Sequence, residues 1–209
     1  MISIQYFVIQ LIVALRWNPP YSLSRDTISD LGNTACGTWN GRYVCSPLHS
    51  LMDASFVVLG ITMMLGSVLI ARSFAPGRVG EAGFAAMAVS GVGVVMVGLF
   101  PENTAPTLHE IGAAIPFVLG NVSLIILALS LKLPAVLRAC CFLSGVLALL
   151  GLAAFTSSHD LGLGAGGMER VVAYPQTIFL VVIGCYILTR GAGRVRSGYG
   201  ACAAAGSAR

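Results

Sequence analysis

Residues 50–71 read SLMDASFVVLGITMMLGSVLIA, and Asp53 is the only charged side chain in this stretch. The hydrocarbon core of a membrane is about 30 Å thick, and a helix needs about 20 apolar residues to cross it. Backbone that faces lipid must satisfy its own hydrogen bonds, so such a span is helical. The stretch therefore predicts a transmembrane helix.

Other parts of the chain have the same character. Charged residues make up 10% of the chain and apolar residues 56%, whereas a typical soluble domain has about 25% charged residues. The first apolar run is short for a span and lacks the features of a signal peptide. We interpret it as a first transmembrane helix, with an uncleaved interfacial segment as the alternative. The sequence predicts an all-α membrane protein with one six-helix domain, 1–190, whose spans are about 2–15, 50–71, 82–100, 108–131, 135–156 and 171–189.

The distribution of cations predicts the orientation of these spans. Eight of the 12 cations lie in the connections 72–81 and 132–138 or after the last span, and four lie in 16–49, 101–110 and 157–170. The positive-inside rule then predicts that both termini are cytoplasmic. We expect the protein to lie in the plasma membrane. On this topology all three histidines and seven of the eight carboxylates fall at the outer face. That concentration indicates a candidate site there.

The net charge of +4 comes from cations grouped beside the membrane. Such groups fit anionic lipid headgroups, and basic residues are not interleaved with aromatic ones as in nucleic-acid binders. We therefore expect membrane lipids and no nucleic acid as partners, while the sequence leaves the oligomeric state open. The tail 191–209 is basic and rich in Gly, Ala and Ser, and it is predicted to be disordered and cytoplasmic.

The outer loop 16–49 is the only long connection, and long loops of this kind are usually functional. Asp26 or Thr27 is suited to cap a helical turn that ends at Gly32 and Asn33. The candidate ligand-binding residues of this loop are Asp30 and Asn33. Two further residues, Cys36 and Cys45, lie nine positions apart and are predicted to form a disulfide in an oxidising compartment.

The start of two spans supplies the candidate catalytic residues. His49 and Asp53 are four positions apart and so share one helix face. A carboxylate inside a membrane costs about 2.5–3.5 kcal/mol on insertion scales and needs a partner, which makes this either a functional pair or a structural one. His109 lies in the first turn of span four. Glu110 is a further candidate acid, although a capping box with Thr107 would also explain it.

His159, Glu169 and Arg170 are predicted to form the rim of an outer pocket. The N-termini of spans two, four and six meet at this face, and with Arg170 they are suited to hold an anionic group. Glu169 and Arg170 can equally pair with each other or with lipid headgroups. We expect no cofactor. If zinc binds, its ligands would be His49, Asp53 and His109, but their spacing is not specific for a metal.

Four short motifs carry a resemblance to a known family: DTISDLGN (26–33), the two loop cysteines, SPLH (46–49), and FPE (100–102) together with His109. They resemble the bacterial and archaeal family of domain of unknown function 998. More distantly, ISDLG (28–32) and His109 are similar to motifs of the Frag1/DRAM/Sfk1 superfamily. The resemblance implies six helices with cytoplasmic ends. The eukaryotic relatives are linked to lipid-anchor remodelling, autophagy and plasma-membrane lipid organisation, which implies no particular catalytic residue.

We expect a multi-pass membrane protein that binds or handles a lipid or other amphiphile through an outer-face polar pocket. One alternative is an intramembrane enzyme, either a metal-dependent lipid hydrolase or an acid–base isomerase or cyclase acting on an isoprenoid, in which Asp53 or Glu110 supplies the proton. The other alternative is a small transporter with Asp53 as the coupling carboxylate.

Overall fold

The chain folds into a bundle of helices with one small hairpin. The structure is a computed structural model that describes residues 2–74 and 77–206, with side chains described over 2–71 and 77–189. The helices are preceded by a 3-10 turn at Ile2–Ile4. They are α1 Gln5–Ala14, α2 His49–Phe74, α3 Arg78–Leu99, α4 Pro106–Ile115, α5 Asn121–Ser130, α6 Ala135–Thr156 and α7 Gly164–Gly206.

Five helical stretches within the described residues are long and apolar enough to cross a membrane, namely His49–Ala71, Arg78–Leu99, Pro106–Ser130, Ala135–Thr156 and Gly164–Thr189. They fit the predicted multi-pass helical protein. The apolar helix Ile2–Ala14 is shorter than these five. Helix α7 continues to Gly206, within the tail 191–209 for which the sequence predicts disorder, and side chains are described only as far as residue 189.

Two helices begin earlier than their hydropathy predicts. Helix α3 begins at Arg78 rather than near 82, and α7 begins at Gly164 rather than near 171. Hydropathy marks only the apolar part of each helix. The first turns of α7 carry the charged residues Glu169 and Arg170. They are helical because the loop packed against them supplies hydrogen-bond partners for both side chains, as described below.

The short helix α1 is part of the bundle. Its residues Tyr6, Gln10 and Val13 are buried. Gln5 exchanges two hydrogen bonds with Ser55 of α2, at 3.1 Å from Gln5 Nε2 to the Ser55 carbonyl oxygen and at 2.8 Å from Ser55 Oγ to Gln5 Oε1. Polar contacts therefore fix the position of α1 against α2.

Helices α2 and α3 approach closely through glycine. A Cβ atom added at Gly60 would lie 2.4 Å from the carbonyl oxygen of Gly91, and one at Gly91 would lie 2.5 Å from that of Gly60. On another side of α3, a Cβ at Gly93 would lie 2.5 Å from the carbonyl oxygen of Gly112 in α4. Helix association in lipid depends on such close packing of small residues.

The span formed by α4 and α5 contains a π-helical turn at Pro116–Gly120. Pro116 has no N–H to donate, and the turn frees backbone carbonyl groups within the span. Asn121 Nδ2 donates to the carbonyl oxygens of Phe117 at 2.9 Å and Val172 at 3.0 Å. Asn121 thus joins the irregular turn to α7.

The predicted capping box of Thr107 and Glu110 is wrong. Helix α4 begins at Pro106, so its N-cap residue is Ala105, two positions before Thr107, and this residue makes no side-chain cap. Proline is favoured at the first helical position because its ring presets φ and its missing N–H has no helical partner there. Glu110 is exposed.

The long loop contains a hairpin that the hydropathy pattern does not predict. Strands β1 Gly37–Trp39 and β2 Arg42–Val44 are antiparallel, with Gly37 opposite Val44. The Asn40–Gly41 pair makes the turn with positive φ angles of 47° and 75°, as two-residue hairpin turns require. The disulfide between Cys36 and Cys45 closes its open end.

The contact between α2 and α3 gives a stability prediction. Gly60→Ala should lower the free energy of unfolding by about 1–3 kcal/mol, because the added methyl group overpacks the contact. Gly66→Ala is the matched control in the same helix, since a Cβ there would meet nothing within 4 Å, and it should leave stability equal or slightly higher. Thermal unfolding in detergent measures both variants. Equal destabilisation by the two substitutions would contradict this packing.

Candidate functional site

The ISDLG motif forms a 3-10 turn within the segment 26–33, which we call the loop turn. Thr27 and Asp30 cap it reciprocally. The Thr27 N–H donates to Asp30 Oδ2 at 2.8 Å, and the Asp30 N–H donates to Thr27 Oγ1 at 3.1 Å. This is the capping-box arrangement, with Thr27 in the capping role predicted for it or for Asp26.

Asp30 is fully buried and ties the loop turn to the hairpin. Arg42 Nε donates to its Oδ2 at 2.8 Å, and Arg42 Nη2 donates to its Oδ1 at 2.8 Å. Both carboxylate oxygens therefore have protein partners. Removing one member of a buried ion pair typically costs about 3–5 kcal/mol, so the geometry gives Asp30 a role in holding the loop together.

Glu169, in the first turns of α7, fastens the loop turn to the helices. Its carboxylate is buried and accepts hydrogen bonds from the Ile28 N–H, the Ser29 N–H at 3.3 Å and the Ser29 hydroxyl at 2.8 Å. Buried charges need such hydrogen bonds to offset the loss of hydration. Glu169 is therefore bound to the loop turn by neutral donors, and it makes no ion pair with Arg170 among the described residues.

His109 reaches the same serine from α4. The side chain is buried, with its Nδ1 2.9 Å from the carbonyl oxygen of Phe100 and its Nε2 3.0 Å from Ser29 Oγ. A carbonyl oxygen can only accept, so Nδ1 carries a proton. Ser29 Oγ thus lies between the imidazole of His109 and the carboxylate of Glu169.

His49 and Asp53 pair on α2 beside the loop turn. His49 Nδ1 lies 3.4 Å from Asp53 Oδ2, and Asp53 Oδ1 is buried without a hydrogen-bond partner among the described residues. A Cβ at Gly32 would lie 2.5 Å from that Oδ1 atom. The glycine of the motif therefore lets the turn lie directly against the Asp53 carboxylate, which a larger residue would push aside.

Glu102, between α3 and α4, receives a hydrogen bond from Asn33 Nδ2 to its Oε1 at 3.1 Å. Burial raises the pKa of Glu102 to about 8, and the hydrogen bond and negative charge of nearby Asp30 act in the same direction. Glu102 is therefore mostly protonated at neutral pH. Asn33 is itself 1% exposed, so this pair is part of the packed contact between loop and bundle.

Arg170 binds the beginning of the loop. Its Nη1 donates to the carbonyl oxygens of Leu23 at 2.9 Å, Asp26 at 3.1 Å and Gly166 at 2.7 Å. Its Nη2 donates to the hydroxyl of Tyr21, and the guanidinium carbon lies 5.4 Å from the centre of that ring. Arg170 thus has protein partners where the sequence predicts a bound anion.

Two predicted site residues point elsewhere. His159 is exposed, and its Nδ1 donates to the carbonyl oxygen of Ser157 at 2.8 Å. Glu110 is exposed on α4 beside the buried His109. Within the described part of the chain, neither makes a hydrogen bond to the loop turn.

A cavity lies directly beneath the loop turn. Ile28, Ser29 and Glu169 line it, and its walls include Phe56, Leu59, Met63, Val94, Val97 and Phe117. Gln176 also lines it, and its Oε1 atom is buried without a hydrogen-bond partner in the described residues. The volume is 40 Å³, room for about three water molecules at roughly 10–15 Å³ each. The other residues of the lining are apolar apart from Tyr6 and Thr177.

The predicted zinc ligands do not form one group. His49 and Asp53 lie together, but both ring nitrogens of His109 are bonded to Phe100 and Ser29. Over residues 2–74 and 77–206, no cluster of three or more His, Cys, Asp and Glu side chains is arranged to hold a metal ion.

A family model described as "Protein of unknown function (DUF998)" matches residues 1–186. The chain belongs to this family. No curated protein and no solved structure matches it. The predicted membership in domain of unknown function 998 is confirmed, and the match also includes α1. The more distant similarity to the Frag1/DRAM/Sfk1 superfamily stays a prediction.

Three residues of this DUF998 site were not among the predicted site residues. Ser29 and Glu102 lie inside the quoted motifs ISDLG and FPE, so the motifs mark their segments but not their roles. Arg42 lies between the two loop cysteines. A buried aspartate in a loop needs a cation, and Arg42 is the cation that the hairpin brings within reach.

The raised pKa of Glu102 gives a pH prediction. Folding raises this pKa from 4.5 to about 8, so the folded state binds more protons across that range. Stability should therefore fall as pH rises from about 5 to about 8. The side chain in Glu102→Gln is neutral at every pH. This variant should therefore lack that part of the dependence of stability on pH when thermal unfolding is measured from pH 5 to 9.

Glu81→Gln is the control, since Glu81 is an exposed carboxylate in the first turn of α3. It should leave the slope of the wild type unchanged. Parallel stability curves for the wild type and Glu102→Gln would contradict the role of Glu102.

Proposed function

We propose that the protein binds a lipid or similar amphiphile, with the polar group at Ser29 and Glu169 and the apolar part among the helices below. The observation that supports this most is the cavity, because its polar groups Ser29 and Glu169 come from the loop turn and the start of α7, whereas its walls are mainly aliphatic and aromatic. Ligand sites typically combine apolar walls with a few placed polar groups.

In this proposal the structure is a closed state. A volume of 40 Å³ is far below the roughly 300–1,000 Å³ of ordinary ligand pockets. Binding then requires the loop and the helices around the cavity to separate. The π-helical turn Pro116–Gly120 supplies Pro116 and Phe117 to the wall, and such turns are frequent at functional sites.

A second group of polar residues surrounds the loop turn. Asp30, Asn33 and Arg170 have their main hydrogen bonds inside the protein, and His49 and Asp53 pack beside Gly32. We propose that these residues position the loop over the cavity, while Ser29 and Glu169 contact the ligand directly.

We also propose a six-span topology with both termini cytoplasmic and the loop on the outer side of the plasma membrane. The packing of α1 against α2 supports a sixth span, and the distribution of cations supports the orientation. An outer loop is also consistent with the disulfide between Cys36 and Cys45, since disulfides persist in oxidising compartments.

Filling the cavity tests this function. The probe is a monoalkyl glycerol ether with a terminal pyrene, in detergent micelles, because an ether cannot be hydrolysed. The wild type should bind it saturably. Ala173→Phe places a ring in the cavity. It should weaken binding about tenfold or more, which is about 1.4 kcal/mol or more of binding free energy, because the ring takes the space that the alkyl chain needs.

The matched control is Ala153→Phe, since Ala153 is exposed on α6 and should bind like the wild type. Ala113→Phe fills the cavity from α4 and serves if Ala173→Phe unfolds. Unsaturable binding, or equal affinity in a folded cavity-filling variant, would contradict the proposal.

A further inference from the structure

We infer that Ser29 is a nucleophile and His109 its general base, so that the site can cleave a carboxylic ester of an amphiphile. The inference rests on the proposed function for the position of the substrate. It adds a reaction, and it makes Ser29 and His109 catalytic residues.

The first observation is the geometry of the pair. His109 Nε2 lies 3.0 Å from Ser29 Oγ, and His109 Nδ1 donates to the carbonyl oxygen of Phe100 at 2.9 Å. The proton on Nδ1 leaves Nε2 as the nitrogen that can take the serine proton. In this structure the Ser29 hydroxyl donates to Glu169, so it turns to Nε2 only when the substrate has displaced that carboxylate. A nucleophile, an adjacent base and a third group that orients the base make up the usual arrangement of covalent catalysis. Here a backbone carbonyl orients the base.

The second observation is a site for a negatively charged oxygen next to the nucleophile. The successive N–H groups of Ile28 and Ser29 donate to the carboxylate of Glu169, which also accepts the Ser29 hydroxyl. Ester cleavage needs such donors for the oxyanion that forms at the attacked carbon. Glu169 therefore occupies the oxyanion site in the closed state, and the substrate must displace it.

The third observation concerns the substrate. Ser29 lies at the polar end of a cavity whose walls include Leu59, Met63 and Val97. These walls suit the hydrocarbon chain of an acid, and the polar end suits its ester group. The chemistry points to an ester of a long-chain acid.

The steps balance without another reactant except water. Ser29 Oγ attacks the carbonyl carbon, and its proton passes to His109 Nε2. The bond to the alcohol oxygen breaks, the alcohol leaves with the proton from His109, and the acyl group stays on Ser29. Water then gives a proton to His109 and attacks the acyl-serine. The acid leaves, and Ser29 regains its proton.

The experiment is labelling of the full-length protein with a long-chain alkyl fluorophosphonate, read by intact mass and peptide mapping. A bond forms between Ser29 Oγ and phosphorus, fluoride leaves, and His109 takes the proton. The wild type should be labelled once, at Ser29, and Ser29→Ala should not be labelled. Ser24→Ala removes an exposed serine of the same loop and should be labelled like the wild type.

Two further variants separate catalysis from a structural role. His109→Asn keeps a donor near Phe100 but removes Nε2, and labelling should be about 100-fold slower or more. Glu169→Gln should be labelled severalfold faster, because a neutral amide is a weaker acceptor than a carboxylate for the two N–H groups. A group that only supports the fold gives no increase in rate. A rate for folded Glu169→Gln equal to or below the wild-type rate would overturn the assignment of Glu169.

The two proposals fail differently. A folded wild type that binds the glycerol ether but is not labelled at Ser29 would overturn the inference and leave the binding function. Labelling at Ser29 without ether binding would contradict the binding function alone. Labelling in Ser29→Ala equal to that in the wild type would also overturn the inference.

Discussion

The contacts between the long loop and the helices depend on one interaction, the hydrogen bonds between Glu169 and the loop turn. A buried carboxylate that, like Glu169, makes no ion pair with any described residue depends on its hydrogen-bond donors. Among the described residues, the three donors of Glu169 come from Ile28 and Ser29. The carboxylate therefore fixes the position of the turn, and the turn in return stabilises the buried carboxylate. With the turn in place, Ser29 meets His109, Gly32 meets Asp53, and Asn33 meets Glu102.

The bonds inside the loop are separate from those that join it to the helices. Thr27, Asp30 and Arg42 form a buried network, and the disulfide closes the hairpin. A few side chains of the helical domain, Glu169 above all, bind this unit. Such a division suits a lid that moves as one body, because opening breaks the hydrogen bonds to the helices and leaves the internal network intact. The ligand proposed above needs that movement to enter, and the proposed reaction needs the loop to close again so that Ser29 lies beside His109.

The sequence predicts the spans well and the site only in part. Long apolar runs mark α2 to α7 because lipid allows few alternatives to helix. Hydropathy misses the start of α7 because Glu169 and Arg170 are charged. Their hydrogen-bond partners lie in the distant loop, which the local sequence does not show. The role of Ser29 depends on partners 80 and 140 positions away, and no local pattern gives such contacts. Asp30 differs from Ser29, because the motif predicts it as a ligand-binding residue. Its hydrogen bonds with Arg42 give it a structural role that the motif does not show.

Amide hydrogen exchange at Ile28 and Ser29 tests the central claim most directly. If Glu169 holds the loop turn, both amides exchange slowly in the wild type and about tenfold faster or more in Glu169→Ala, since each lost hydrogen bond lowers the cost of local opening. Amides in β1 and β2 should be unchanged, because the hairpin keeps its own hydrogen bonds and disulfide. Equal protection of Ile28 and Ser29 in the two proteins would contradict the account.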